Sequence, residues 1–161
     1  MVFEFGMAFL SPWIVTHDPQ QPDTSSFLLP PSSEHWFGTD NSGFDIFSRV
    51  VAATRVDVII GFSAVALGFL IGVPLGSMVG YFRGVWTEWV MRINDFIQSF
   101  PVFILALAIV SVTGPRTENL IGVIAFLNIA VFVRLMRGEV LSIREHEFIE
   151  AARCSGSSGL R

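Results

Sequence analysis

The sequence predicts an all-α fold, a polytopic transmembrane helical bundle, and three observations predict it. Hydrophobic residues make up 52% of the 161 and charged residues 15%, with a mean hydropathy of +0.60, which is more apolar than a soluble domain of this size. Residues 58–80 contain no charge, and as a helix at 1.5 Å per residue they reach about 34 Å, enough to cross about 30 Å of hydrocarbon. Two further charge-poor stretches follow, over 96–113 and 120–133, separated by short polar segments.

The elements follow in chain order. Residues 1–15 have no basic start and no small-residue cleavage site, so they do not read as a signal peptide. As one helix they reach only about 22 Å. They are expected to be the outer part of a first transmembrane helix. Residues 16–45 hold Pro19, Pro22, Pro30 and Pro31 among Asp, Ser and Thr, which predicts an extended aqueous loop. Phe44, Phe47, Val50 and Val51 share one helical face, so 44–55 is expected as a short amphipathic helix on the membrane surface.

Residues 58–80 form the first complete span. Gly68, Gly72, Gly76 and Gly80 recur every fourth position, and Gly61 and Ala64 extend the same ridge backwards. Small residues at this spacing let a second helix backbone approach closely, so these glycines are expected to pack helices, within the chain ahead of a partner. Pro74 is expected to kink the helix.

Residues 88–113 read as a second span entered from a charged end, with Glu88, Arg92 and Asp95 on one face and Pro101 two turns in. Asp95 is expected at the interface, paired with Arg92. Residues 114–119 read as a polar turn, and 120–136 as a third span that Arg134 enters by snorkelling. Gln98 and Asn128 are expected to hydrogen-bond between helices.

Seven arginines (Arg83, Arg92, Arg134, Arg137, Arg144, Arg153 and Arg161) then lie on one side of the membrane and three (Arg49, Arg55 and Arg116) on the other. The richer side is expected to be cytoplasmic. The organisation is therefore 1–15 as part of a first span, 16–55 as a periplasmic or extracellular loop, 56–137 as three spans, and 138–161 as a cytoplasmic segment.

Several functions are excluded. No Lys is present and no phosphate-binding glycine loop occurs, so a P-loop ATPase is excluded. The net charge of −4 and the lack of a basic cluster argue against nucleic acid as a partner. His146 and Glu147 lack the second His of a zinc-protease helix, and 40–45 lacks the acids of a calcium loop. His17 and His35 are expected to be solvated loop residues, with no metal and no cofactor. Cys154 reads as a small filler residue.

The polar stretch after the third span carries Glu150, Ala151, Ala152 and Gly156 as E-A-A-x-x-x-G, with Phe148, Ala151, Ala152 and Ser155 on one narrow face. Gly156 suits the left-handed residue that ends a helix. With GTDNSGFDIFSR, IGVPLGSMVGYF, MRINDFIQSFP, RLMRGEVLSIRE and EFIEAARCSG in order, the chain resembles the inner-membrane permease subunits of ABC importers. It is most similar to the C-type subunit of dipeptide, oligopeptide and nickel permeases.

The resemblance covers nearly the whole chain. Phe44 stands where the family's G-T-D-x-x-G-R-D pattern has Arg, and the family's loop continues toward I-x-L-P where this sequence stops at Arg161, which suggests shortening at both ends. The resemblance implies a non-enzymatic transport subunit in the bacterial plasma (inner) membrane. Its implied partners are a second permease subunit, two ABC ATPase subunits, an extracytoplasmic solute-binding protein and the lipid bilayer. Glu147, Phe148, Glu150, Ala151, Ala152, Arg153 and Gly156 are the implied ATPase-coupling residues. The alternative is a non-transporting membrane-anchored interaction module or a decayed permease remnant.

Overall fold

The computed structural model describes residues 2–23 and 25–156, the side chains of Val2, Phe3, Glu150, Ala152 and Arg153 excepted. Its helices are α1 (Val2–Ile14), α2 (Ile46–Tyr81), α3 (Val85–Gln98), α4 (Val102–Thr113), α5 (Thr117–Arg144) and α6 (Glu147–Cys154). The all-α fold class is as expected, and among the described residues no strand longer than a single bridge occurs. The chain divides into two units, Met1–Phe62 and Ser63–Arg161.

α2, which begins in the first unit, and α5 of the second are each long and apolar enough to cross a membrane. Only 17% and 22% of their most apolar windows are buried within the chain. The remaining apolar surface, with Leu70 66% exposed and Phe103 on α4 84% exposed, requires lipid or another subunit to cover it.

The glycine spacing is realised as a seam between these two helices. A Cβ on Gly68 would lie 2.7 Å from the Asn128 Cβ, one on Gly72 2.7 Å from the Phe132 Cβ, one on Gly76 2.6 Å from the Val133 carbonyl oxygen, and one on Gly80 2.8 Å from the Val140 Cβ. No side chain fits at any of the four. A Cβ on Gly61 would meet nothing within 4 Å, so Gly61, expected in the same packing ridge, makes no such close approach.

Four expectations about elements are corrected. The amphipathic helix over 44–55 is not separate, because α2 begins at Ile46 and continues through Pro74 to Tyr81 without a break. Ser77 donates its hydroxyl to the Val73 carbonyl at 2.8 Å in the turn that holds the proline. The stretch 88–113 is not one straight helix. It bends by 90° between α3 and α4, at residues 99–101, since Pro101 offers no N–H and disfavours helical geometry at Phe100. Ser99 turns its hydroxyl back to the Phe96 carbonyl at 2.7 Å. α5 starts at Thr117, inside the expected turn, and runs to Arg144, about 42 Å at 1.5 Å per residue. The segment 138–144 therefore belongs to α5.

Both α3 and α4 pack on α5. The Gln98 amide donates to the Ala130 carbonyl at 3.0 Å. Asp95 pairs with Arg134 at 2.5 Å and not with Arg92, whose guanidinium lies 5.9 Å from the Trp89 ring centre. The pairing with Arg134 follows from the fold, because the α3–α5 contact brings in a cation that local spacing could not indicate. Asn128 donates to Ile124 of its own helix at 2.9 Å, so its amide does not bond across the seam.

We expect Gly72→Leu and Gly76→Leu each to destabilise the full-length chain by about 1–3 kcal/mol or more, and Val73→Leu to do so far less. Detergent-titrated unfolding measures this, and equal midpoints for the three variants would remove the seam as a constraint.

Candidate functional site

The first unit is built on hydrogen-bonded turns. Thr39 forms an isolated antiparallel bridge with Asp45. The Thr39 amide donates to the Leu29 carbonyl at 3.1 Å, and the Leu29 amide donates to the Thr39 hydroxyl at 2.9 Å. Between them, Asp40 closes the turn by accepting from the Ser42 and Phe44 amides at 2.8 and 3.0 Å. Gly38 and Gly43 take φ of +75° and +82°. A Cβ on Gly38 would meet the Leu29 carbonyl at 2.4 Å, and one on Gly43 the Asp23 carbonyl at 2.2 Å, so each glycine is required twice over, by conformation and by space.

Asp45 then starts α2. Its Oδ2 accepts from the Ser48 amide at 2.8 Å, which satisfies one of the unpaired donors at the helix N-terminus. Its Oδ1 is 3.0 Å from the His35 Nδ1. Burial raises the carboxyl pKa, but the hydrogen bonds from Ser48 and His35 outweigh it, and the net displacement is downward. Ser48 is fully buried, accepts from the His17 amide at 3.1 Å and lies 3.3 Å from the Thr16 hydroxyl.

The Phe44 ring is covered by the Arg49 guanidinium at 4.6 Å, while Arg49 also pairs with Asp40 at 3.0 Å. The charge of this corner is thus supplied from one turn into α2.

His17 and His35, expected as separate solvated residues, are brought together. Their ring centres are 4.6 Å apart and His35 is buried. His17, Glu34 and His35 each offer a ligand atom within 4.8 Å of the others. Sequence spacing gave no sign of this, because His17 lies far from the other two along the chain and meets them only through the fold.

At the other end of the chain, α6 is set off from α5 by Glu145 and His146. His146 Nδ1 lies 3.0 Å from the Ser142 carbonyl, where it can donate, so it tethers the break and is not part of a zinc-protease helix. Glu147 and Ala151 are exposed, and Phe148 is 60% exposed. The Ser155 amide donates to the Ala151 carbonyl at 3.0 Å, and Gly156 follows at φ +79° as the left-handed end of the helix. The side chains of Glu150, Ala152 and Arg153 lie outside the described residues, although their backbone is helical. Cys154 is an exposed free thiol.

Arg144, the last residue of α5, reaches the end of α2. It donates to the carbonyls of Gly80 and Tyr81 at 3.1 and 2.6 Å and lies 5.8 Å from the Tyr81 ring centre. A cation there satisfies open carbonyls and complements the helix dipole. The RLMRGEVLSIRE stretch thereby joins the seam to the segment before α6. The sequence had offered Arg144 only as one of seven charges setting orientation.

Residues 72–161 match the family model of the binding-protein-dependent transport system inner membrane component. The chain belongs to this family. The chain is 40% identical over 152 residues to the probable D,D-dipeptide transport system permease protein of Escherichia coli K12, covering 94% of this chain and 51% of that protein. It is 40% identical over 151 residues to the dipeptide transport system permease protein of Alkalihalophilus pseudofirmus, covering 93% and 49%. It is 38% identical over 155 residues to the nickel transport system permease protein of E. coli K12, covering 96% and 56%. The chain thus spans about half the length of these curated relatives.

Asp23 sharpens the acid response of the loop. Hydrogen bonds from the Ser25 hydroxyl and amide, then from the Ser26 hydroxyl, lower its pKa from 3.8 to about 2. A depressed carboxyl contributes stability above its unfolded value and loses it as pH falls through the folded one. Pepsin cleavage within 16–45 should therefore rise as pH drops from 3.8 to about 2. Asp23→Asn should be cut readily already at the upper end of that range, and identical profiles for both proteins would refute the assignment.

Proposed function

We propose that this chain is the membrane-spanning permease subunit of an ABC importer, forming half of a translocation pathway for peptides or related small solutes. The other half is a second permease subunit. Two cytoplasmic ABC ATPase subunits supply the energy, and an extracytoplasmic solute-binding protein delivers the solute. Family membership supports the permease role, and the dipeptide and nickel names of the relatives support the solute class.

The observation that carries the coupling is α6, a short helix exposed at Glu147, Phe148, Ala151 and Cys154, separated from the apolar α5 and ended by Gly156. Glu147, Phe148, Glu150, Ala151, Ala152, Arg153 and Gly156 form the ATPase-docking surface. Closure of the ATPase dimer moves α6, and α5 carries the movement into the seam with α2. No residue performs covalent chemistry.

In this reading residues 16–45 face the periplasm or exterior, and α6 faces the cytoplasm of a bacterial inner-membrane, multi-pass protein. The arginine asymmetry supports that orientation. In intact cells, an impermeant maleimide should label Ser33→Cys in a Cys154→Ser background, and should leave the exposed Cys154 of the wild-type chain unlabelled. The reverse pattern would invert the topology.

Coupling has its own test. In the full-length protein Ala152→Trp should abolish solute uptake and ATPase co-purification while leaving the amount inserted in the membrane unchanged. Glu150→Ala should be milder, because a solvated charge contributes little at such an interface. A Trp variant that keeps its ATPase and its uptake would exclude this segment as the docking site.

A further inference from the structure

We propose that His17, Glu34 and His35 form a binding site for one divalent transition-metal ion of the zinc type, which staples the segment after α1 to the outer loop. Three side chains from two separate parts of the first unit each present a ligand atom within 4.8 Å of the others. Two imidazoles and a carboxylate, with no thiolate, are the borderline donors that suit such an ion and are poor for magnesium or calcium, which demand oxygen shells.

His35 is prepared for the role. Its Nδ1 faces the buried Asp45 carboxylate at 3.0 Å. A carboxylate can only accept, so Nδ1 carries the proton and Nε2 presents its lone pair. This is the carboxylate–imidazole arrangement that fixes ring orientation and raises ligand basicity at metal centres. Asp45 is itself held by the Ser48 amide at 2.8 Å. His17 is oriented through its Nδ1, 3.1 Å from the Thr16 hydroxyl, and its backbone amide is tied to Ser48 at 3.1 Å.

The adjacent cavity of about 210 Å³ is lined by His17, Asp18, Asp23, His35 and Asp45 among others, which leaves room for a water as fourth ligand. Tetrahedral coordination at about 2.1 Å places ligand atoms about 3.4 Å apart. Spacings of up to 4.8 Å close to that value by rotation of the exposed Glu34 and the half-exposed His17 toward the braced His35. The ion is a resident structural one. It links the chain just beyond α1, through His35 and Asp45, to the first turn of α2.

The test uses the full-length permease chain in detergent, Zn²⁺ as probe, and Mg²⁺ and Ca²⁺ as controls. After dialysis against metal-free buffer, elemental analysis should find one zinc per chain, and zinc should raise the unfolding temperature where magnesium and calcium do not. Glu34→Gln and His17→Gln change side chains that are exposed or half-exposed, so they should leave metal-free stability unchanged and weaken zinc binding at least tenfold. His146→Gln should leave binding intact. Wild-type affinity in the Glu34→Gln/His17→Gln double variant, or retention of less than about one zinc per ten wild-type chains, would overturn the proposal. Neither result bears on the transport reading, which the uptake and co-purification measurements test.

Discussion

The approach of α2 to α5 depends on the absence of four side chains. At Gly68, Gly72, Gly76 and Gly80 an added Cβ would sit within 2.6–2.8 Å of atoms on α5, closer than van der Waals contact allows. In a bilayer the hydrophobic effect does not drive two apolar helices together, so association rests on dispersion between closely fitted surfaces and on a few polar contacts. Helices α3 and α4 use α5 as a common wall. Gln98 bonds the Ala130 carbonyl, Asp95 meets Arg134, and Arg144 closes over the end of α2. Widening the seam would therefore misplace the Arg144 bonds as well as the packing.

A second constraint is that helix ends carry unpaired backbone groups, which are costly wherever water is scarce. At the C-terminal ends of α3 and α4 the chain meets this with side chains. Asn119 donates to the Thr113 and Gly114 carbonyls at 2.6 and 3.1 Å, closing the end of α4 where Gly114 turns at φ +91°. Ser99 does the same for α3 just before Pro101. The bend between α3 and α4 is thus a built corner, and it divides the amphipathic α3, with Glu88, Arg92 and Asp95, from an α4 that has no charge at all. A 12-residue helix reaches only about 18 Å, so α4 alone is too short for the hydrocarbon layer.

The sequence made legible what depends on composition and short-range period: the all-α class, the apolar runs, the glycine ridge and the left-handed turn at Gly156. It did not show which partner each polar group would take. Asp95 had an obvious neighbour in Arg92 one helical turn away, and the contact between α3 and α5 gave it Arg134. Residues 44–55 were amphipathic enough to stand alone as a surface helix, yet nothing at 56–57 ends a helix, and α2 runs through. For the E-A-A-x-x-x-G segment, the pattern located a short helix and its terminator but not the break at Glu145 and His146, where α5 stops. His17 and His35 read as separate solvated residues because their meeting depends on Asp45 and Ser48, which a reading by local spacing treats as one helix cap.

That cap shows how one short motif does several jobs. In GTDNSGFD, Gly38 and Gly43 supply the positive-φ corners, Asp40 ties the turn between them, and Asp45 begins α2 while holding His35. A negative group at the start of α2 and a cation at its end both oppose the helix dipole's partial charges: Asp45 at the N-terminus, Arg144 at the last carbonyls. Each contact is worth about 1 kcal/mol, small beside the burial of a bundle. Their larger effect is positional. A cap fixes where a helix starts. Asp45 fixes it twice, through the Ser48 amide in the first turn of α2 and through His35 in the loop before it.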